Sequence, residues 1–301
     1  MNTSESWRYS VSVATGSTHI AQGLRCDDAA ACKVITANGK AYLVAAVADG
    51  AGSAKLAAEG SSLATATIIS LIEDYLSQGG TVNAIDDAKI DGWLERVRAE
   101  IQQVAANASL PGLTLTMRDF STTLLFAVVA DDHTVVCQIG DGAVVIEDPE
   151  DRWRLAFEPQ KGPLHWAERR SFTNFVTSDR YEQKRQFARF NRRVGKVALF
   201  TDGVEHAALE AYGLKTLPGS YRASGTDFYD PTPRMNDREF LDANSFVRDD
   251  FFDNGFKLLA GHAGGGLSEA VSQSLKDFLD SETVLKVTGD DKSLILASRP
   301  G

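Results

Sequence analysis

Cysteine is scarce in this chain of 301 residues: there are three, Cys26, Cys32 and Cys137. An odd number without metal-finger spacing excludes a disulfide scaffold and a zinc module, and a reduced, cytoplasmic protein is expected. Long apolar runs are missing as well. None approaches the ~20 residues of a membrane span. The opening MNTSESWRYS has neither a basic start nor an apolar stretch, so neither a secretory signal nor a membrane partner is expected. Basic charge is in deficit, with 31 Lys and Arg against 41 Asp and Glu and a formal charge of −10. Such a field repels phosphate backbones and argues against nucleic acid as a partner. What the chain does have is apolar material, 43% of it, enough to fill a real core. No repeat, low-complexity tract or linker interrupts it, so one domain over residues 1–301 and a monomer are expected.

Periodicity divides the chain into strands and helices. WRYSVSVAT (7–15) alternates, and KVIT and AYLVAAVAD follow across the turn ANGK. A helix is expected over 54–77, with Ser53 as N-cap and Leu63, Ala66, Ile69, Ile72 and Leu76 on its face. A second, over 86–108, presents Trp93, Val97, Ile101, Val104 and Ala108 and ends at LPG (110–112). Strands return in STTLLFAVVA, HTVVCQIGD, AVVIED and RWRLAFE, and their short connections imply antiparallel pairing. Continuous apolar runs such as Leu124 to Ala130 imply strands covered on both faces, as in a sheet packed on a second sheet with helices outside. KVALFTDG resumes the sheet. Residues 210–255 are rich in turn formers and read as irregular surface. LSEAVSQSLKDFL (267–279) reads as a last helix and SLILAS (293–298) as a last strand.

Asp-Gly occurs four times. A single Asp-Gly is ordinary turn chemistry, with Gly supplying positive φ. Asp91-Gly92, in a polar helical segment, fits that reading. The other three each close an apolar strand: VAAVADG, VVCQIGDG and VALFTDG. Asp290-Asp291 precede the last strand in TGDDKSLIL, and Asp27-Asp28 precede an early one in QGLRCDDAA. Five acidic sites at strand ends, gathered by a sheet, would collect like charge, which is unstable without a cation. Hard divalent metals take such oxygen donors, and the glycine lets a backbone carbonyl approach the ion. Asp49 is therefore expected to bind metal.

In their order, CDDA, VADGAGSA, STTLLF, IGDGAVVI, LFTDGV and DDKSLILA resemble the metal-dependent Ser/Thr protein phosphatases of type 2C (PPM), most of all the compact bacterial branch. The resemblance runs from about residue 7 to 298 and is weakest over 210–265. It implies an α+β fold: an α-β-β-α four-layer sandwich of two antiparallel β-sheets packed face to face and flanked by helix pairs. It implies a dinuclear Mn²⁺ or Mg²⁺ centre in which Asp49 bridges, the Gly50 carbonyl assists, Asp202 and Asp290 serve one ion, and Asp28, with Asp27 beside it, supports the other. Asp49 and Asp202 are the expected catalytic positions, and Asp141 matches a third, weaker metal site. A variable flap is implied around 158–190 and an irregular insertion around 210–260. The implied reaction is hydrolysis of phosphoserine or phosphothreonine by water activated between the two cations, on a phosphorylated protein supplied by a cognate Ser/Thr kinase.

The sequence departs from that family at three places. Gly23 stands where a phosphate-binding Arg is common, with His19 and Arg25 as candidate substitutes. Ala51 stands where many members have His, which leaves a general-acid position vacant, and His206 replaces an acidic residue near the third metal. These departures leave an inactive binding or regulatory module of the same fold as the rival reading; against it, the metal positions are filled. A phosphodiesterase site would mix His with Asp, and none of the five His lies in the strand-end motifs. Cys137 reads as core and His165 as surface or structural. The clusters ERRSF (168–172) and RFNRR (189–193) read as solvated faces with a phosphopeptide-docking option, and GHAGGG (261–266) as a loop.

Overall fold

Strand β3 (Lys40–Ala48) contains the apolar run Leu43 to Ala48, and the period-2 alternation of its side chains decides the layering. In the computed structural model, which describes residues 7–108, 114–148, 150, 152–160, 173–209, 247–262 and 264–299, Leu43, Ala45 and Val47 point into a core between two sheets. Val44, Ala46 and Ala48 point the other way, into a core shared with helices. Both faces are covered from Tyr42 onward, so the strand is apolar from there to its end.

Strands β2 (Ala29–Ala37), β3, β4 (Leu124–Val129), β5 (Thr134–Ile139) and β8 (Gln186–Phe190) form one sheet in the order β2-β3-β4-β5-β8. The β2–β3 turn carries Asn38 and Gly39 at φ 52° and 73°, the positive pair that a tight hairpin requires. The second sheet runs β10 (Gly266–Leu267), β1 (Arg8–Ala14), β11 (Lys292–Ser298), β9 (Lys196–Phe200), β6 (Ala143–Glu147) and β7 (Trp153–Leu155). Pairing is antiparallel throughout except for the two-residue β1–β10 contact. GHAGGG therefore ends in a short edge strand and is not wholly loop.

Helices α2 (Ala57–Ser77) and α3 (Asp87–Asn107) cover the five-stranded sheet. Helix α3 begins at an Asp86 cap whose side chain accepts from the Lys89 N–H. Its buried seam is Ile90, Trp93, Leu94, Val97, Ile101 and Ala105, so Val104 turns outward. Helix α2 starts at Ala57, after Leu56; Ser53 does not cap it, and Ala66 is exposed.

On the six-stranded sheet lie α4 (Glu205–Ala208), α5 (Asp249–Ala260) and α6 (Glu269–Leu279), with the short α7 (Glu282–Leu285) after them. Helix α5 falls where the sequence read as irregular. Phe252, Phe256 and Leu259 share its buried face at helical spacing, and that stripe outweighs the Gly255 within it. Residues 210–246 lie outside the described residues. Three cores between four layers give the α+β sandwich that the sequence implied, with two antiparallel sheets and helices on both outer faces.

Candidate active site

Strand register alone brings the acidic motifs to one end of the sandwich. Ala29 pairs with Ala48, so Asp28 and Asp49 leave adjacent strands side by side. Leu124 pairs with Ile139, which puts the Gly140-Asp141-Gly142 link at the same end. Phe200 pairs with both Ala143 and Leu294, which aligns Asp202 with that link and with the Asp290-Asp291 approach to β11. Ala14 pairs with Lys292, so helix α1 (Ser17–Gln22), which the sequence reading did not find, joins them.

Asp49 is the centre of this group. Its N–H donates to Thr123 Oγ1 at 2.8 Å, and its carbonyl accepts from Thr122 Oγ1 at 2.9 Å. Burial pushes its carboxyl well above the ordinary range, and the charges of Asp28, Asp202, Asp290 and Asp141 push it further. Asp28, which is buried where Asp49 is only half-buried, is pushed up to about 7 by desolvation, against the hydrogen bond it accepts from Thr201 Oγ1 at 2.5 Å. Its other oxygen, Oδ1, is buried without a donor. Among the neighbouring charges, that of Asp28 raises Asp49 most, and two such ionised carboxylates need a shared proton or a cation to sit side by side. Oxygen-only donors with one orphaned atom fit a hard divalent ion. Asp141 accepts from Thr173 Oγ1 at 2.8 Å, so residue 173 reaches this end of the molecule.

The glycines explain why these ends can meet. None of the four Asp-Gly glycines has positive φ, so none is there for turn geometry. A Cβ on Gly50 would sit 2.6 Å from the Asp27 carbonyl oxygen, one on Gly142 2.5 Å from that of Phe200, and one on Gly203 1.8 Å from that of Asp291. At Gly92 nothing lies within 4 Å. The strand-end glycines permit backbone to touch backbone. Gly203→Ala is accordingly expected to destabilise the fold by at least about 1–3 kcal/mol, whereas Gly92→Ala, in a helix interior, should stabilise it by roughly 0.5–1 kcal/mol. Paired urea titrations read both.

Asp291 is the hub that sequence reasoning passed over. Its Oδ1 accepts from the Gly16 N–H at 2.6 Å, and its Oδ2 from the Asp27 N–H at 2.5 Å and His19 Nδ1 at 2.8 Å. His19 Nε2 lies 3.8 Å from Asp27 Oδ2. Among the described residues, His19, Asp27 and Asp291 are the group of three potential ligands whose donor atoms all fall within 4.8 Å; no three of the Asp49 group meet that spacing. The signal for Asp291 was present, as the second carboxylate of GDDKS, but nothing in one sequence shows that it faces backbone N–H groups. Lys292 follows it, fully buried, its Nζ donating to the Asp290 carbonyl at 3.0 Å and its charge disfavoured by desolvation.

Of the two candidate phosphate contacts, Arg25 is 63% exposed and paired with Glu59, whereas His19 is held beside Asp27 and Asp291. His206 lines a groove between the outer helices. The RFNRR cluster is turned to structural ends: Arg189 donates to the Ile85 carbonyl and Arg192 to that of Glu147. Phe190 pairs with Thr134, at the end of β5 away from Asp141, so a docking role beside the site does not hold for it. Residues 186–190 are sheet, which shortens the expected flap, and His165 and ERRSF lie outside the described residues. Cys137 is fully buried, with its thiol pushed up to about 12 by burial, and is core.

Two antiparallel sheets packed face to face, with carboxylates gathered at one end, form the sandwich that the phosphatase resemblance implied. The family model described as protein phosphatase 2C matches residues 15–280, and the chain belongs to that family; it is an enzyme, a phosphatase. It is 29% identical over 293 residues to the serine/threonine-protein phosphatase 3 of Escherichia coli K12, across 97% of this chain and 98% of that one. Among solved structures, it is similar to a bacterial serine phosphatase at 13% identity and TM-score 0.54, covering 97% and 98% of the two chains. A serine/threonine phosphatase from Staphylococcus aureus matches at 13% and 0.53, covering 97% of this chain and 95% of that one. The catalytic domain of the phosphatase PstP, in complex with two manganese ions, matches at 16% and 0.53, covering 98% and 99%. At such identities the structural likeness is one of fold.

Proposed function

We propose that residues 1–301 form a single catalytic domain that hydrolyses phosphoserine and phosphothreonine in proteins. Two divalent cations, Mn²⁺ or Mg²⁺, would be held by Asp28, Asp49, the Gly50 carbonyl, Asp202 and Asp290, with Asp141 beside a third, weaker position. The observation that supports this reading is Asp49, a half-buried carboxyl raised by desolvation and by the charges of four others. Bound there, the ions supply Lewis acidity that activates water and offsets charge on the phosphate oxygens. The chain's own residues orient that chemistry. Thr122 and Thr123 fix the Asp49 backbone, and Thr201 fixes Asp28. His19, its Nδ1 turned to Asp291, is the better placed of the two substitutes for a phosphate-binding Arg. The substrate would be a phosphoprotein made by a Ser/Thr kinase in the cytoplasm, and the enzyme would act as a monomer.

The test is hydrolysis of a phosphothreonine peptide and of an aryl phosphate, each in excess chelator and after adding Mn²⁺ or Mg²⁺. Chelation should abolish turnover of both substrates and the metal should restore it. Full activity in excess chelator would sink this reading.

A further inference from the structure

A groove opens between α4, α5, α6 and α7, on the outer face of the six-stranded sheet, with a volume of about 490 Å³. Leu296 of β11 forms part of its floor, and Gly255 of α5 leaves room there, since a Cβ on it would meet Leu296 at 2.8 Å. Its walls include Leu258, Phe278 and Val287, which are 44%, 39% and 55% exposed. Large side chains left this open around one depression are unusual on a soluble surface.

Val287 also lines a second, polar depression of about 390 Å³, together with Thr18, His19, Thr288, Gly289 and Asp290. The two depressions therefore share a wall, and the second opens beside the carboxylate end of the sandwich. Backbone contacts hold that wall in place. Thr18 N–H donates to the Gly289 carbonyl at 3.1 Å, and a Cβ on Gly16 would lie 2.3 Å from the same oxygen, so α1 and the 287–291 segment are locked together.

We propose that this continuous surface docks the substrate polypeptide: with the phosphorylated residue at the carboxylates, the chain passes His19 and Val287 and places an apolar side chain, best an aromatic one, between Leu258 and Phe278. The proposal rests on the phosphatase reading and adds the class of sequence that the enzyme prefers. Continuity with the catalytic end selects this occupant. A free apolar metabolite would have no use for the polar half, whereas an extended phosphopeptide needs both. Phe278 already packs on the Phe251 ring at 6.0 Å between centroids, so the wall of the groove is aromatic and suits an edge-to-face contact with an incoming ring.

The experiment measures kcat/KM on a set of polyalanine phosphothreonine peptides carrying one Phe at successive flanking positions, with an aryl phosphate as the substrate that cannot reach the groove. One or two neighbouring Phe positions should be favoured about tenfold or more over the all-Ala peptide, the return on burying one large apolar side chain. Leu258→Ser and Phe278→Ser should each lower the ratio of kcat/KM for the favoured peptide to that for the aryl phosphate about tenfold. Both side chains are exposed enough that folding is retained, which circular dichroism checks. Absence of aryl phosphate turnover in the parent protein would count against the phosphatase reading itself. Turnover of the aryl phosphate with no Phe preference and an unchanged ratio would overturn the docking assignment alone, and is the result expected if residues 210–246 or a second copy fill the groove.

Discussion

Asp49→Asn is expected to lower phosphatase turnover by at least about a hundredfold, in line with removing one electrostatic element from a preorganised site, while the metal-free protein melts at a higher temperature. The two effects have one cause. Asp49 is half-buried beside Asp28, Asp202, Asp290 and Asp141, so in the absence of cations its charge is unfavourable twice over, through desolvation and through repulsion. Asn keeps the size and the backbone contacts to Thr122 and Thr123 but takes the charge away. Asp91→Asn is the control, because Asp91 also precedes a glycine. It sits on α3 facing Arg185, 2.8 Å from Nε, and a partly exposed pair of this kind is worth about 0–1 kcal/mol. Its loss should leave turnover unchanged. Steady-state rates and thermal melts on both variants decide the matter: if Asp91→Asn were as damaging to turnover as Asp49→Asn, the distinction between strand-end and helical Asp-Gly would collapse.

The strand-end aspartates were legible because two separate signals coincide at them. An apolar run marks a buried strand, and a carboxylate at its end is costly unless something pairs with it. Repetition of that conflict along the chain pointed to a shared site, and the register then brought those ends together. The glycines were legible in position but not in purpose. Backbone crowding from Asp27, Phe200 and Asp291, not a turn, requires them, and such contacts between distant segments leave no local mark. Helix α1 escaped for a related reason. It is six residues long and buries none of them, so no apolar stripe announces it, and its place depends on Asp291 and Gly289 from the far end of the chain. Helix α5 is legible in the spacing of Phe252, Phe256 and Leu259, but the turn formers upstream of it dominate the composition of that stretch.

Without metal, the protein should lose stability as pH rises from about 4 to about 7. Asp28 carries the argument, because burial raises its folded-state value from 3.8 to about 7. The folded chain then holds a proton that the unfolded chain has already released, so raising the pH through this window favours unfolding. Stability from this group is complete below the unfolded value and gone above the folded one. The size is on the order of 3–5 kcal/mol, a large part of what a typical domain has to lose. Asp49 is shifted in the same direction and steepens the fall. Asp28→Asn should flatten the curve, since the amide needs no proton to be neutral and its oxygen still accepts from Thr201 Oγ1. Added Mn²⁺ should act in the opposite sense to pH. An ion competes with the proton for the same oxygens, so its stabilisation of the parent protein should grow from pH 5 to pH 8. Melts in chelator and in Mn²⁺ across that range test both. A chelated protein whose stability rises steadily toward pH 8 would mean that the carboxylates at the sandwich end are already compensated by the chain itself, and the case for a cation between Asp28 and Asp49 would lose its physical basis.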